Sequence, residues 1–382
     1  MSTFQHSYLM IYPVPRLVSI ALIPLLLIST ATFAGELTGV VKDPNGKPLA
    51  NAIVAATPEK PQMVDGHRVR HITHTDAEGH FKFNDLPGGS YGATATFPKL
   101  GSAFLGLLSV PETGTLDKQI FQLGTSASTF EGEIHAPSGL IPEGLIVAAN
   151  RVSNDAGDTF YGEVHDSHFQ ISLAPGRYQL AVIAPDWSSL GKMVVVPSPK
   201  AKVDFAIFRE RGSDPALAVE LEKMAAADQD ARMHWIQAQD QSHSEETKKV
   251  DTGNVARLRE IIATKGWPGA ELVGTAGAKA AWLIVQHEDG PLLEQCLPWL
   301  KAEAERGGLA WSTVALSIDR VLIVEGKKQR YGSQAEIKDG KVELQPVEDE
   351  AHLDERRAQV GLEPIAEYKA QLLKLYTPAA TN

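Results

Sequence analysis

The sequence predicts a multidomain chain: two all-β sandwiches in series, then a mainly α-helical domain with a small β-element. Three observations carry this reading. Short β-branched runs alternate with Gly- and Pro-containing turns through the first half. The same order of strands and turns then returns once, so the β half reads as a tandem duplication. After Arg211 the pattern changes to apolar residues spaced three and four apart, the period of a helix face. A chain of 382 residues also exceeds one ordinary domain.

Charged residues at 22% and hydrophobic residues at 43% describe a folded chain. A formal net charge of -11 argues against a nucleic-acid partner, which needs a basic face. The basic run "GKKQRYG" from Gly326 is too short to change this. Residues 1–34 are expected to be a secretory signal. Arg16 precedes the apolar stretch "LVSIALIPLLLISTATFAG", which ends in small residues. Cleavage after Ala34 puts Thr32 and Ala34 at the small-residue positions; cleavage after Ala31 is the alternative. An uncleaved anchor is the competing reading, since the stretch approaches the ~20 residues of a membrane span. Pro24 and the small-residue exit favour cleavage. No cysteine adjoins the cut, so no lipid anchor is expected, and no later stretch is long enough to cross a membrane. The expected location is the periplasm or the cell exterior. Cys296 is the only cysteine, so no intrachain disulfide forms. Its neighbours Leu292, Leu293, Leu297 and Leu300 mark it as a core residue.

In the first β segment, 35–124, Leu37, Gly39 and Val41 alternate into the turn Asp43-Pro-Asn-Gly46, and Ala52 to Ala56 forms the next strand. His71 to Thr75 and His80 to Phe83 flank Asp76-Ala-Glu-Gly79 and read as a hairpin with Gly79 left-handed. Phe81 and Phe83 share a face and are expected in the core. "GGSYG" around Ser90 fits the hydrolase pattern G-x-S-x-G, but a nucleophile elbow needs a helix next. A strand carrying Tyr91, Ala93, Ala95 and Phe97 follows instead, which makes Ser90 a turn residue. In the second segment, 128–209, "HFQISLAPGRYQLAVIA" from His168 repeats "HFKFNDLPGGSYGATATF" from His80. Phe169 stands for Phe81, Pro175-Gly176 for Pro87-Gly88 and Tyr178 for Tyr91, and Phe169 and Ile171 are expected inside.

Three pieces of the first segment resemble the carboxypeptidase regulatory-like module, a transthyretin-like β-sandwich. They are Gly39-x-Val41-x-Asp43-x-x-Gly46-x-Pro48-Leu49, Thr75-Asp76-x-x-Gly79-x-Phe81-x-Phe83 and Leu86-Pro87-x-Gly89-x-Tyr91. The second segment is a degenerate copy without the Thr-Asp-x-x-Gly piece. The resemblance implies a seven-stranded sandwich related to carbohydrate-binding-like folds and implies no catalysis. No metal or other cofactor is expected. His67 and His71 stand ~13 Å apart along a strand at ~3.3 Å per residue, too far to share a metal. The acidic turns at Asp43 and Asn154 lack the calcium-loop spacing. Trp187 and Tyr161 are the aromatics best placed for a sugar platform, with packing at the sandwich end the favoured reading.

The helical domain, 213–376, opens with Ser213 and Asp214 as cap residues and Pro215 in the first turn. Leu221, Met224, Asp228, Arg232 and Trp235 share one face. A carboxylate on that stripe must be charge-paired, with Arg232 or Arg320 as partner. The next helix, "NVARLREIIATKG", stops at Gly266-Trp267-Pro268, and Thr275 opens another that ends at His287. A histidine there meets the negative end of the helix dipole, or stands at a rim where an acid or base is reachable. Trp311, Val314, Ala315, Ile318 and Leu322 form a stripe with Asp319-Arg320 at its border. "LIVEG", "KKQRYGSQAEI" and "KVELQPV" read as the β-element, and Arg356-Arg357 begins the final helix pair. No phosphate loop, G-x-G-x-x-G or H-E-x-x-H occurs. The series Asp228-Gln229-x-x-Arg232, Gly266-Trp267-Pro268, Gln286-His287, Asp319-Arg320, Gln329-x-Tyr331-Gly332 and Arg356-Arg357 resembles an uncharacterised bacterial domain family. The resemblance implies only that these polar pairs recur together.

His287 and Asp319 are the candidate catalytic acid–base groups. Asp228, Arg232, Arg320, Gln329, Tyr331 and Arg356 are the candidate ligand-binding residues, all expected near one concavity. Two functions fit. The first is an exported envelope protein whose β modules present a helical domain to a carbohydrate, another ligand or an envelope protein. The second is a hydrolase or transferase acting on an envelope polymer or small anionic substrate. The missing catalytic motifs favour the first.

Overall fold

The computed structural model describes residues 35–60, 62–64, 67–124, 127–152, 158–198, 201–238, 240–288, 291–338 and 340–376. The expected signal at 1–34 lies outside them. Among the described residues no helix is long and apolar enough to cross a membrane. The chain forms two compact units, β-rich up to Ile207 and mainly helical from Phe208.

The β unit begins with nine strands: β1 (Gly35–Lys42), β2 (Ile53–Pro58), β3 (Met63–Val64), β4 (His67–Arg68), β5 (His71–His74), β6 (His80–Leu86), β7 (Gly89–Phe97), β8 (Gly101–Val110) and β9 (Gly114–Gln122). They make a sheet ordered β6-β1-β9, a sheet ordered β5-β2-β7-β8 and the small β3-β4 ribbon. Leu37, Phe81, Phe83 and Phe121 of the first sheet share one core with Val54, Ala56, Tyr91 and Ala93 of the second. Ser90 lies in β7, with more strand after it. Asp76-Ala-Glu-Gly79 does not close a hairpin, because β5 pairs with β2 while β6 pairs with β1. The Thr75 hydroxyl accepts from Ala52 N–H and donates to the Leu49 carbonyl, and Asp76 accepts from the N–H groups of Glu78 and His80. These bonds turn the chain out of one sheet and into the other.

The second segment supplies β10 (Ser128–His135), β11 (Ile146–Arg151), β12 (Thr159–His165), β13 (His168–Leu173), β14 (Gly176–Ala184), β15 (Trp187–Ser189), β16 (Lys192–Val196) and β17 (Phe205–Arg209). Its pairings repeat those of the first. β10 is antiparallel to β13 and parallel to β17, as β1 is to β6 and β9. β11 pairs with β12 and β14, as β2 does with β5 and β7. Tyr91 and Tyr178 each donate to the carbonyl four residues back, Pro87 and Ala174. By this register Gly176 stands where Gly89, not Gly88, stands, and Ala174 where Pro87 stands.

The second copy departs from the expected separate two-sheet sandwich. Its strands join into one eight-stranded sheet, which closes on itself because β11 also pairs with β14. Two links join the strands, the β17–β15 neighbourhood and a local hairpin. Asp166 and Ser167 both have positive φ, 47° and 63°, and form a two-residue hairpin that binds β12 to β13. The longer Thr75–Gly79 connection of the first copy makes no such link. Phe130, Phe160, Phe169, Ile171, Tyr178 and Phe205 fill the core, joined by Trp187. Tyr161 is buried against Ile53 and Ala55 of the first copy. Neither aromatic is an exposed sugar platform. Thr94 and Thr96 donate to the carbonyls of Thr159 and Tyr161, fastening the copies together.

The helical unit contains α1 (Pro215–Ala238), α2 (Gln241–Lys265), α3 (Ala270–Gln286), α4 (Leu292–Glu305), α5 (Trp311–Val324), the ribbon β18 (Ala335–Lys338) and β19 (Lys341–Leu344), α6 (Leu353–Gln359) and α7 (Ile365–Tyr376). Asp214 caps α1 by accepting from Leu217 N–H. Gly274 breaks α3 at φ 70°, where a Cβ would lie 1.9 Å from the Glu210 carbonyl oxygen, so the regular helix starts at Thr275 as expected. "LIV" of "LIVEG" belongs to α5 and not to the β-element. The α5 stripe is also rotated from expectation: Trp311 is exposed, while Asp319 is fully buried. Cys296 is buried, and burial pushes its thiol up to about 12.

Candidate functional site

The predicted stripe of α1 carries Asp228 and Arg232 inward, where both are buried. His287, the residue that ends α3, meets them. Its Nδ1 lies 3.0 Å from each Asp228 oxygen, and Arg232 Nε approaches the same nitrogen to 2.9 Å. One ring nitrogen cannot both give a proton to Asp228 and accept one from Arg232. Burial works to raise Asp228, but the bond to His287, its charge and Arg232 outweigh it and hold the carboxyl below the usual range. The ionised carboxylate therefore selects the Nδ1–H tautomer, and Arg232 Nε serves Asp228 at 3.3 and 3.4 Å. Gln229 donates a further bond to Asp228 at 2.8 Å. Burial pushes His287 below its ordinary value, against the pull of Asp228, so the ring is neutral near pH 7.

Sequence reasoning missed the fourth member. Asp251 of α2 accepts from Arg232 Nη2 at 2.7 Å. Burial, with Asp228 adding to it, pushes its carboxyl up to about 7 against the pull of Arg232. The signal was available: Thr247, Asp251, Asn254, Leu258 and Ile261 follow the spacing of four and three that singled out Asp228. Thr247 and Asn254 donate to the α1 carbonyls of Ala231 and Met224, which fixes α2 on α1 on either side of Asp251.

Most of the remaining candidates gather around Asp319 and the 329–334 loop. Asp319 accepts from the backbone N–H groups of Arg330, Tyr331 and Ser333 and from the Ser333 hydroxyl, all between 2.7 and 3.2 Å. Burial raises its pKa despite these donors. Gln329 donates to the carbonyls of Gln334 and Gln345 and accepts from Gln334 N–H. Arg356 donates to the carbonyls of Arg330 and Glu348. The Tyr331 carbonyl accepts from Arg357, which is buried over the Tyr368 ring. These residues clamp the 329–334 loop. Arg320, half-buried on α5 beside Asp319, helps to depress His287 through its charge. His287, Asp319 and Tyr331 are all buried; His287 is engaged with Asp228, and Asp319 and Tyr331 with each other in the clamp.

A tautomer-fixed neutral imidazole beside a low-pKa and a high-pKa carboxyl can hold, give or take a proton. Comparison with the curated proteins finds no match. Among solved structures, the Bacillus anthracis TIE protein is 18% identical over 45% of this chain and 33% of its own, with a TM-score of 0.20. The Streptococcal ancillary pilin is 11% identical over 46% and 63%, at 0.19. The shaft pilin spaA from Lactobacillus rhamnosus GG is 7% identical over 45% and 97%, at 0.17. The chain thus spans about a third of the TIE protein. Residues 36–123 match the carboxypeptidase regulatory-like domain, and residues 215–378, which hold both polar networks, match the family of unknown function DUF6624: the chain carries the first domain and, after residues 124–214, the second.

Proposed function

We propose that this is an exported cell-envelope protein. In it, two β modules of one kind, 35–124 and 128–209, present a helical ligand-binding domain, 213–376. The repeated strand pairings and the paired Tyr91 and Tyr178 bonds support the duplication. The observation that carries the binding reading is the convergence of Asp228, Arg232, Asp251 and His287 from three helices. A packed helical junction needs no such set of ionisable groups, and burying them is costly unless each is paired. Asp319, Gln329, Tyr331 and Arg356 then serve the domain by holding its 329–334 loop.

Thermal unfolding with soluble peptidoglycan fragments, neutral oligosaccharides and inorganic phosphate tests the reading. At ~100 times its Kd, a ligand stabilises by about 2.7 kcal/mol. At least one of these probes is expected to raise the melting temperature of the native chain, and His287→Gln is expected to abolish that rise while remaining folded. Equal shifts in both proteins would remove His287 from the site. One observation favours the second reading, an acid–base hydrolase or transferase: Asp228 orients a neutral His287. Under that reading His287 is the base, and the acid is Asp251 and not the loop-bound Asp319.

A further inference from the structure

Asp251 is the outer member of the cluster, with 21% of its side chain exposed against 1% for Asp228. Both carboxyl groups bond the same Arg232 Nη2, at 2.7 and 3.3 Å. Asp251 and Asp228 therefore meet at one guanidinium nitrogen, the closest approach of two carboxyl groups in the cluster to a common donor. An ionised carboxylate has no hydrogen to donate, so two carboxyl groups in such contact either hold a proton between them or repel. One guanidinium does not neutralise two negative charges, one buried and one half-buried. The contacts are unequal: Asp228 receives bonds from His287, Gln229 and Arg232, whereas Asp251 receives one from Arg232. Asp228 is therefore the better-stabilised anion. We propose that Asp228 and Asp251 share one proton beside Arg232, with Asp251 the carboxyl that binds and releases it, the exchangeable acid of the cluster. This holds whether or not the cluster takes a ligand, so its test and the ligand test fail separately.

The sign of the pH dependence follows. Asp251 has an ordinary value of 3.8 and is pushed up to about 7 in the fold. Between those values the native state binds more protons than the unfolded state. The contribution of Asp251 to stability is thus full below the lower value, falls as pH rises, and is lost above the upper one. The groups facing it are Arg232 and Asp228, with His287 and Arg320 behind them. Asp228, held low, contributes unchanged across this window. His287 runs the other way: it is kept neutral below its ordinary 6.5, so its contribution falls as pH drops. Asp251→Asn removes the Asp251 titration and keeps an oxygen for Arg232.

Urea unfolding of the whole chain and of Asp251→Asn, from about pH 4 to about pH 8, reads this difference. The ratio of their folding constants, native over variant, is expected to fall by up to about tenfold per pH unit between 4 and 7 and then level. A ratio that stays constant overturns the proposal. Carboxyl carbon NMR of the folded native chain gives a second reading that needs no variant. Titration of Asp251 near neutrality supports the shared proton, and titration near about 4, the ordinary carboxylate range, overturns it.

Discussion

Asp319→Ala is expected to destabilise the helical unit by about 4 kcal/mol, among the largest effects of any single change in the chain. The substitution removes the one acceptor that serves the N–H groups of Arg330, Tyr331 and Ser333 together with the Ser333 hydroxyl. Each buried donor left without a partner costs about 1–3 kcal/mol, less whatever the loop recovers by relaxing toward water. The loop does not stand alone. Gln329 spans its ends, and Arg357 reaches the Tyr331 carbonyl from α6, so its release also frees the ribbon and the final helices. Denaturant midpoints of the native chain and Asp319→Ala measure the effect. A variant as stable as the native chain would remove Asp319 from the clamp and return it to the acid–base candidates.

Asp228→Ala is expected to cost about 3–5 kcal/mol, the range for breaking a buried ion pair from one side. Arg232 would remain buried with a single carboxyl partner, and the Nδ1–H of His287 would lose its acceptor. Asp251 would answer in part. Without the neighbouring negative charge it ionises more readily and takes over the pairing of Arg232, so its titration should move down toward the ordinary range. Calorimetry gives the stability loss, and carboxyl NMR follows the shift of Asp251. A substitution that leaves both unchanged would mean that Asp228 is not the anion at the centre of the cluster.

Local pattern in the sequence carried much of this, and long-range partnership did not. Period-two alternation placed Phe81, Phe83, Phe169 and Ile171 inside, and they are buried. Heptad spacing placed Asp228 on the packed stripe with Arg232 as its partner, because i and i+4 residues share a helix face. The two sheets join through two links, the β17–β15 neighbourhood and the β12–β13 hairpin of Asp166 and Ser167, whose positive φ values are not encoded by any glycine. The partition of the polar pairs was hidden for a different reason. Asp319 looks like a border residue of an amphipathic helix, and only the return of the 329–334 loop supplies the donors that draw it into the interior. Asp251 obeyed the same spacing rule as Asp228 but was masked by its polar neighbours Lys248, Lys249 and Thr252.

Asp228 and Asp319 each centre a network of their own in the helical unit, the first a cluster with Arg232, Asp251 and His287 and the second a loop clamp. Paired double-mutant cycles test this division most directly. In the first, Asp228→Asn is combined with His287→Gln; in the second, Asp228→Asn is combined with Asp319→Asn. Urea unfolding is predicted to give a coupling of about 1 kcal/mol or more in the first cycle and additivity within about 0.5 kcal/mol in the second. Strong coupling in the second cycle, or additivity in the first, would contradict the division into two networks.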